Sequence, residues 1–333
     1  YNGGLSSIDP NFIYFLGPTK SLLGGSYLII EKNKAVILTS KLEKEAAKSL
    51  GLEVKVFEDF PLKKYVKRFR RIGVNTRLMS YSKVKEFLDL GILVVDVSSE
   101  LEKLREKKSE EEIEAIRKAI EITEKAIKKV VDEGFSDKFE SDVYGELIYS
   151  MTREGARLAF DPIVAFDENA AYPHYKTASN NKKPEKLVLI DVGANYNNYC
   201  ADITRTFLLK RDKEIVEAYE TVLEAQLKAI EKMKAGAIAG DIDKVARDII
   251  EAKYPGSFIH SLGHMFGILV HEGRGLRRGA NYKLEENMVF TVEPGVYFVG
   301  KYGIRIEDDV RVLKDGVEVL TTLPKNLEEV IVS

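Results

Sequence analysis

The chain has 333 residues, 44% hydrophobic and 31% charged, with 51 basic against 53 acidic side chains, enough for one large or two medium domains. A net charge of −2 argues against a nucleic-acid or anionic-membrane binder, and no apolar run approaches the ~20 residues of a membrane-spanning helix. The single cysteine, Cys200, excludes an internal disulfide and suits a reducing, cytoplasmic compartment.

No secretory signal is visible, although the chain opens on Tyr1 rather than Met. The first hundred residues read as alternating strands and helices. Tyr27–Ile30 and Ala35–Thr39 are expected strands joined by a polar turn through Asn33. Lys41–Leu50 reads as a helix, Val54–Phe57 as a strand and Ile92–Val97 as a buried strand. This stretch, residues 1–105, is an expected small α/β domain, and the charged segment Glu100–Lys108 is the expected boundary. Phe12–Ser26 is a candidate rim or interface segment, or else a plain core strand and turn.

Residues 106–333 form the expected second domain. Ser109 with Glu112 makes a capping box ahead of Ile113, Ile116, Ile120, Thr123, Ile127 and Val130, one face of a long helix that Gly134 stops. A helix is expected over about Asp137–Gly155, and strands over Phe160–Phe166, Leu187–Val192 and Tyr199–Leu208. Helices follow at Lys213–Ala235 and Asp241–Lys253, and the chain is mostly strand from Met288. The pattern is α+β: a mostly antiparallel sheet with helices packed on it.

Chemistry concentrates in this second half. All four histidines, His174, His260, His264 and His271, lie in two short glycine- and proline-containing segments. Imidazole is the commonest metal ligand and acid–base group. Asp191 ends the apolar run Leu187–Ile190, and a turn-rich stretch separates it from Asp202. A hairpin symmetric about Tyr196–Asn197 would set the two carboxylates opposite each other. At cross-strand distance two such anions repel unless a cation or a shared proton lies between them. Glu293 and Glu307 repeat the geometry, with Gly300 midway and Arg305 on the face of Glu307. Four separate surface carboxylates would be the plainer reading, but both pairs follow apolar runs. Their charge of −4 would be balanced by two divalent cations, and oxygen donors with imidazole suit Mn²⁺, Co²⁺, Fe²⁺ or Zn²⁺.

These residues carry a family resemblance. Phe160-Asp161-Pro162-Ile163-Val164 with Tyr172-Pro173-His174, Asp191-Val192-Gly193-Ala194, and Ala201-Asp202-Ile203-Thr204-Arg205-Thr206 are similar to blocks of the pita-bread metallopeptidases. So are His260–His264, Val270-His271-Glu272, Thr291–Gly295 and Gly303–Asp309. Within that fold the chain most resembles the Xaa-Pro peptidases, prolidase and aminopeptidase P. The resemblance implies an α+β pita-bread catalytic domain behind the small α/β domain. It implies five metal ligands, Asp191, Asp202, His264, Glu293 and Glu307, holding two divalent metal ions per subunit, with Mn²⁺ or Co²⁺ ahead of Zn²⁺ and Fe²⁺. It makes His174, His271, Glu293 and Arg305 catalytic, and His174, His260, His271 and Arg305 substrate-binding. Glu293 would shuttle the nucleophile's proton.

The implied reaction is cleavage of the Xaa-Pro bond of dipeptides by a hydroxide between two metals. Aminopeptidase P action on longer peptides is the alternative, and a non-catalytic pita-bread binding module a remote one. Methionine aminopeptidase is disfavoured by the extra N-terminal domain, creatinase by the metal-ligand set. Proline-containing dipeptides or short peptides are the expected partners, without nucleic acid or membrane, in a homodimer. The sequence departs from the resemblance in two places. Met265-Phe266-Gly267 follows His264 where relatives have glycine, and Phe166-Asp167-Glu168-Asn169 is unusually acidic, as a solvated loop would be.

Overall fold

The computed structural model describes residues 1–3, 9–177 and 182–332, and it divides into two compact units, Tyr1–Arg105 and Glu106–Ser333. In the first unit, β1 (Tyr27–Glu31) and β2 (Lys34–Thr39) form the expected hairpin, and β3 (Glu53–Val56) pairs parallel to β2. A separate parallel pair joins β4 (Arg71–Val74) to β5 (Leu93–Asp96). Five helices complete the alternation: α1 (Pro10–Leu16), α2 (Lys44–Lys48), α3 (Leu62–Val66), α4 (Tyr81–Leu88) and α5 (Ser98–Glu106).

Two expectations change here. Phe12 lies in α1, capped by the Asp9 side chain with Pro10 in the first turn, rather than in a strand. The strand at Leu93–Asp96 is not buried: Leu93 is 60% and Val95 38% exposed, while Ile92 and Val94 pack on the unit's core. A continuous apolar run does not reveal whether one face of a strand or both are covered.

The second unit opens on α6 (Glu110–Asp132). Both capping-box bonds form: Glu112 N donates to Ser109 Oγ, and Ser109 N donates to Glu112 Oε2. Ile113, Ile116, Ile120, Thr123, Ile127 and Val130 are all buried, and Gly134 turns the chain with φ +76°. Helix α6 packs on α7 (Glu140–Arg153) and on β9 (Ala194–Tyr196) and β10 (Tyr199–Cys200). The short strand β6 (Arg157–Leu158) pairs with β9. Three antiparallel strands in the order β11-β8-β7, namely Ile203–Leu208, Leu187–Val192 and Ile163–Phe166, make the first main sheet. Helices α8 (Lys213–Lys232) and α9 (Ala239–Lys253) pack on each other.

After them come the pair β12 (Gly263–His264) and β13 (Gly275–Leu276), and then a second sheet with order β14-β17-β18: Val289–Val292, Asp308–Leu313 and Gly316–Val319. The hairpin β15 (Gly295–Phe298) and β16 (Tyr302–Arg305) lies between β14 and β17 in sequence. These ladders are antiparallel. Among the described residues no helix is long and apolar enough to cross a membrane.

The last residues are built into this core. The Leu323 amide donates to Glu124 of α6 at 2.8 Å, and Arg205 of β11 donates to the Leu323 and Pro324 carbonyls. Val330, in the short helix α10 (Leu327–Val330), is fully buried, and Val332 N donates to Leu208 O at 2.9 Å.

One close approach shapes the first main sheet. A Cβ at Gly193 would stand 1.9 Å from the Ala201 carbonyl oxygen, so only glycine lets the strands meet there. We predict that Gly193→Ala lowers the unfolding free energy by about 2–3 kcal/mol, the cost of forced overpacking, read as an earlier denaturant midpoint. Ser109→Ala, which removes only a cap, should cost about 1 kcal/mol.

Candidate active site and metal centre

Two antiparallel hairpin systems bring the four carboxylates together. In the first, β8 and β11 pair with Asp191 opposite Thr204 and Val192 opposite Ile203. The turn sits at Asn197–Asn198, both left-handed with φ +49° and +71°, a pattern asparagine tolerates in tight hairpins. The register therefore lies two residues from the one centred on Tyr196–Asn197. Asp191 and Asp202 are diagonal rather than opposite. A shift of two preserves the face, because side chains alternate with period two, so both carboxylates reach one cavity.

In the second system the expected register holds. Phe298 pairs with Tyr302 and Gly295 with Arg305, and beyond them Val292 pairs with Asp308. Glu293 and Glu307 stand across from each other in the gap between the two ladders.

Asp202, His264 and Glu307 offer donor atoms within 4.8 Å of one another. His264 Nε2 lies 3.5 Å from Asp202 Oδ2 and 3.4 Å from Glu293 Oε1. Arg305 ties the rest: Nη2 pairs with Asp191 Oδ2, and Nε donates to Thr204 Oγ1 at 3.1 Å. Thr204 Oγ1 in turn donates to Glu307 Oε2 at 2.6 Å. The same cavity, about 350 Å³, is lined by His174, His260 and His271 as well as by all five residues of the expected ligand set and Arg305. The rings of His264 and His271 stack at 3.9 Å between centroids.

The electrostatics are unbalanced. Burial pushes Glu293 up to about 8, Arg305 opposes this, and Asp191 adds to it. Burial likewise holds Asp202 and Glu307 well above the usual carboxylate range, Glu307 reinforcing Asp202 and Glu293 reinforcing Glu307. Burial lowers His264 to about 3, with His271 contributing, so its imidazole is neutral and free to ligate. Asp191 Oδ1 is buried without a hydrogen-bond partner. An orphaned carboxylate oxygen beside the buried Asp202 and Glu307, the half-buried Glu293 and a neutral imidazole fits hard divalent cations.

Several residues support this set without having been singled out in the sequence. Thr291 Oγ1 accepts from His264 N at 3.0 Å and donates to Glu293 Oε1 at 3.2 Å. Thr204 bridges Arg305 and Glu307. Each threonine lies two residues from an acid on its strand, a period-two signal that was readable. Tyr297 receives a bond from Arg305 and contacts His260 Nε2, each through its hydroxyl. Fully buried Arg205 pairs with Asp308 and donates to the carbonyl of Glu307. Asp309 Oδ2 accepts the Asp202 amide at 3.1 Å.

The two departures have structural roles. Met265 and Phe266 are core residues, Met265 bridging to Phe290. Asp167 is not in a solvated loop: it is buried and accepts the amides of Glu185, Lys186 and Leu187.

Residues 114–314 match the metallopeptidase family M24. The chain belongs to that family. An M24 relative, the Xaa-Pro dipeptidase of Pyrococcus furiosus, is 38% identical over 324 residues, 95% of this chain and 92% of that protein. The crystal structure of X-Pro aminopeptidase from Thermotoga maritima MSB8 superimposes with a TM-score of 0.86 at 37% identity, covering 95% and 93% of the two chains. The Xaa-Pro dipeptidase from Bacillus anthracis gives 0.89 at 32% identity, covering 96% and 92%. The M24 match lies in the second unit, the likeness to the solved structures covers both, and the fold is a pita-bread α+β domain that follows a small α/β domain in the chain. M24 membership also makes the chain a metal-dependent peptidase.

A pH test follows from the raised carboxylates. Between the ordinary pKa of 4.5 and about 8, metal-free folded protein holds a proton on Glu293 that the unfolded chain has lost. Folding takes up protons there, so stability falls as pH rises through that window. Lowered His260 and His264 act in the opposite sense below about pH 6.5, so we predict that chelator-treated protein melts progressively lower from about pH 6.5 to about pH 8, and that bound divalent cations raise the melting temperature and remove this trend. Differential scanning calorimetry at matched ionic strength checks this.

Proposed function

We propose that this M24 peptidase is an Xaa-Pro dipeptidase whose metal ligands are Asp191, Asp202, His264, Glu293 and Glu307. The observation that carries the reading is the single cavity of about 350 Å³ shared by those five residues, three histidines and Arg305. Its size is at the small end of ligand pockets, which suits a two-residue substrate better than an extended chain. Two divalent cations, Mn²⁺ or Co²⁺ in preference to Zn²⁺ or Fe²⁺, would supply Lewis-acid polarisation of the scissile carbonyl and a water acidic enough to ionise near neutrality.

The chain's own residues do the rest. Glu293 takes the proton of the attacking water and returns it to the proline nitrogen, which in an Xaa-Pro bond carries no hydrogen of its own. His271 and His174, both exposed on the cavity wall, hold the substrate and donate to the oxygen that gains charge. The Arg305 guanidinium is committed by three bonds, to Asp191, Thr204 and Tyr297, and its backbone amide donates to Thr206 Oγ1. Its role is therefore to fix the carboxylates in place, more than to touch substrate. His260 walls the proline side of the cavity.

Buried Cys200, its thiol pushed up to about 12 by burial, is inert to ordinary oxidation, in keeping with a cytoplasmic protein. A homodimer completes the reading, tested by light scattering.

The deciding experiment compares proline release from an Xaa-Pro dipeptide with Xaa release from an Xaa-Pro-Yaa tripeptide, using stripped enzyme reloaded with Mn²⁺ or Co²⁺. Metal-dependent cleavage confined to the dipeptide is expected. Preference for the tripeptide would move the assignment to aminopeptidase P, and two bound metals without cleavage of either would overturn it. Asp202→Asn should lower kcat/KM by about 10³ or more and reduce bound metal, since ligand loss strikes both.

A further inference from the structure

His260 stands on a segment that no sheet secures. Residues 257–262 are irregular until β12 begins at Gly263, and apart from the Leu262 carbonyl, which accepts the Glu293 amide at 2.8 Å, and Ser257 N, which donates to Tyr254 O, their backbone groups lie outside any ladder. Helix α9 supplies partners instead. Asp243 and Arg247, one helical turn apart, form a paired fork: Arg247 Nε donates to Asp243 Oδ2 at 3.0 Å and Nη2 to Oδ1 at 2.9 Å. Both side chains also bond the irregular segment. Arg247 Nη1 donates to the Phe258 carbonyl and Nη2 to the His260 carbonyl, each at 2.9 Å. Asp243 Oδ1 accepts the Leu262 amide at 3.1 Å. The guanidinium lies 4.2 Å over the Phe258 ring, and that ring packs edge-on against His260 at 5.1 Å. Three alternate residues, 258, 260 and 262, are thus held by one pair.

The imidazole orientation follows from the same fixing. His260 Nδ1 lies 2.8 Å from the Ser261 carbonyl. A carbonyl only accepts, so Nδ1 carries the hydrogen. Nε2, 2.8 Å from the Tyr297 hydroxyl, then accepts, and that hydroxyl accepts from Arg305 Nη1 at 2.9 Å. Hydrogen bonds therefore run one way, from Arg305 through Tyr297 to His260. With both nitrogens engaged, the ring meets a substrate as a fixed wall.

Resting on the dipeptidase reading, we propose that Asp243 and Arg247 are positioning residues that set the substrate-side wall at His260, and that they govern substrate affinity more than turnover. Lysine at position 247 keeps the charge and loses the planar fork, which must reach Asp243 and two carbonyls at once. A group that shapes ground-state binding raises KM with kcat little changed. A pair serving only to hold the fold would instead reduce the fraction of active protein.

The test uses the full-length, Mn²⁺-loaded protein with an Xaa-Pro dipeptide. Arg247→Met and Asp243→Asn should each raise KM about tenfold with kcat within about threefold and metal content unchanged. Arg247→Lys should recover part of the loss. An unchanged KM, with only a lower melting temperature or active fraction, overturns the proposal. A second measurement stands apart from activity. In ¹⁵N-histidine spectra of the metal-free protein there are four histidines to resolve, and His260→Gln assigns one. Arg247→Met should shift the His260 nitrogens and leave the others in place; unmoved His260 nitrogens overturn the proposal. If wild-type enzyme cleaves neither peptide, the dipeptidase reading has failed on its own, and the spectra decide whether the pair positions His260.

Discussion

The constraint that organises this molecule is the convergence of four carboxylates on one cavity with a single arginine among them. Fully ionised, Asp191, Asp202, Glu293 and Glu307 would sum to −4, and Arg305 answers only one charge. Apolar surroundings make each isolated charge costly. Such a cluster calls for a cation or shared protons, and the orphaned Asp191 oxygen shows where protein donors leave off. Much of the surrounding structure serves to hold these repelling groups in position. Arg305 and Thr204 link three strands, Thr291 links His264 to Glu293, and Arg205 grips the backbone at Glu307.

The cluster is held from two tiers. Strand pairing sets the coarse spacing, because Glu293 and Glu307 share a register that continues from β15–β16 into β14–β17. Buried polar side chains then set the fine spacing through their hydrogen bonds, Arg305, Thr204 and Thr291 foremost. The irregular segments that carry His260 and His271 lie outside the ladders, and buried charge pairs take over there: Asp243 with Arg247, and Lys108 with Glu272, whose side chains are almost wholly enclosed. Precision in the site comes from satisfied polar groups as much as from apolar packing.

Much of this was legible in the sequence. Helix α6 could be read from its cap and its isoleucines because both signals are local. The second hairpin could be read because Gly300 marks its centre. The first was misjudged by two residues, since Asn197 and Asn198 both take left-handed backbone and move the turn; parity saved the shared face. The exposure of β5 was not legible, because apolar runs do not tell how many faces are covered. Asp167 reads as a surface acid until the amides of residues 185–187, distant in sequence, fold onto it. Tyr297 and the Asp243–Arg247 pair escaped for the same reason: their partners lie 8 to 37 positions away on other elements, or on segments without periodicity.

The tail that stitches Leu323 to α6 and Val332 to β11 bears on how the polypeptide acquires its shape during synthesis. Helix α6 carries its own local signals, yet its partners at Thr322 and Leu323 emerge roughly two hundred residues after Glu124. The second unit's core therefore closes only after residues 322–332 have emerged, and its contacts are of high sequence separation, the kind that slows folding. Residues 1–105 face no such wait, for the contacts of their two small cores lie within that stretch. Nascent chains would carry a finished N-terminal unit ahead of an open, apolar second half, so a late truncation would leave the larger core unsealed while the smaller stayed whole.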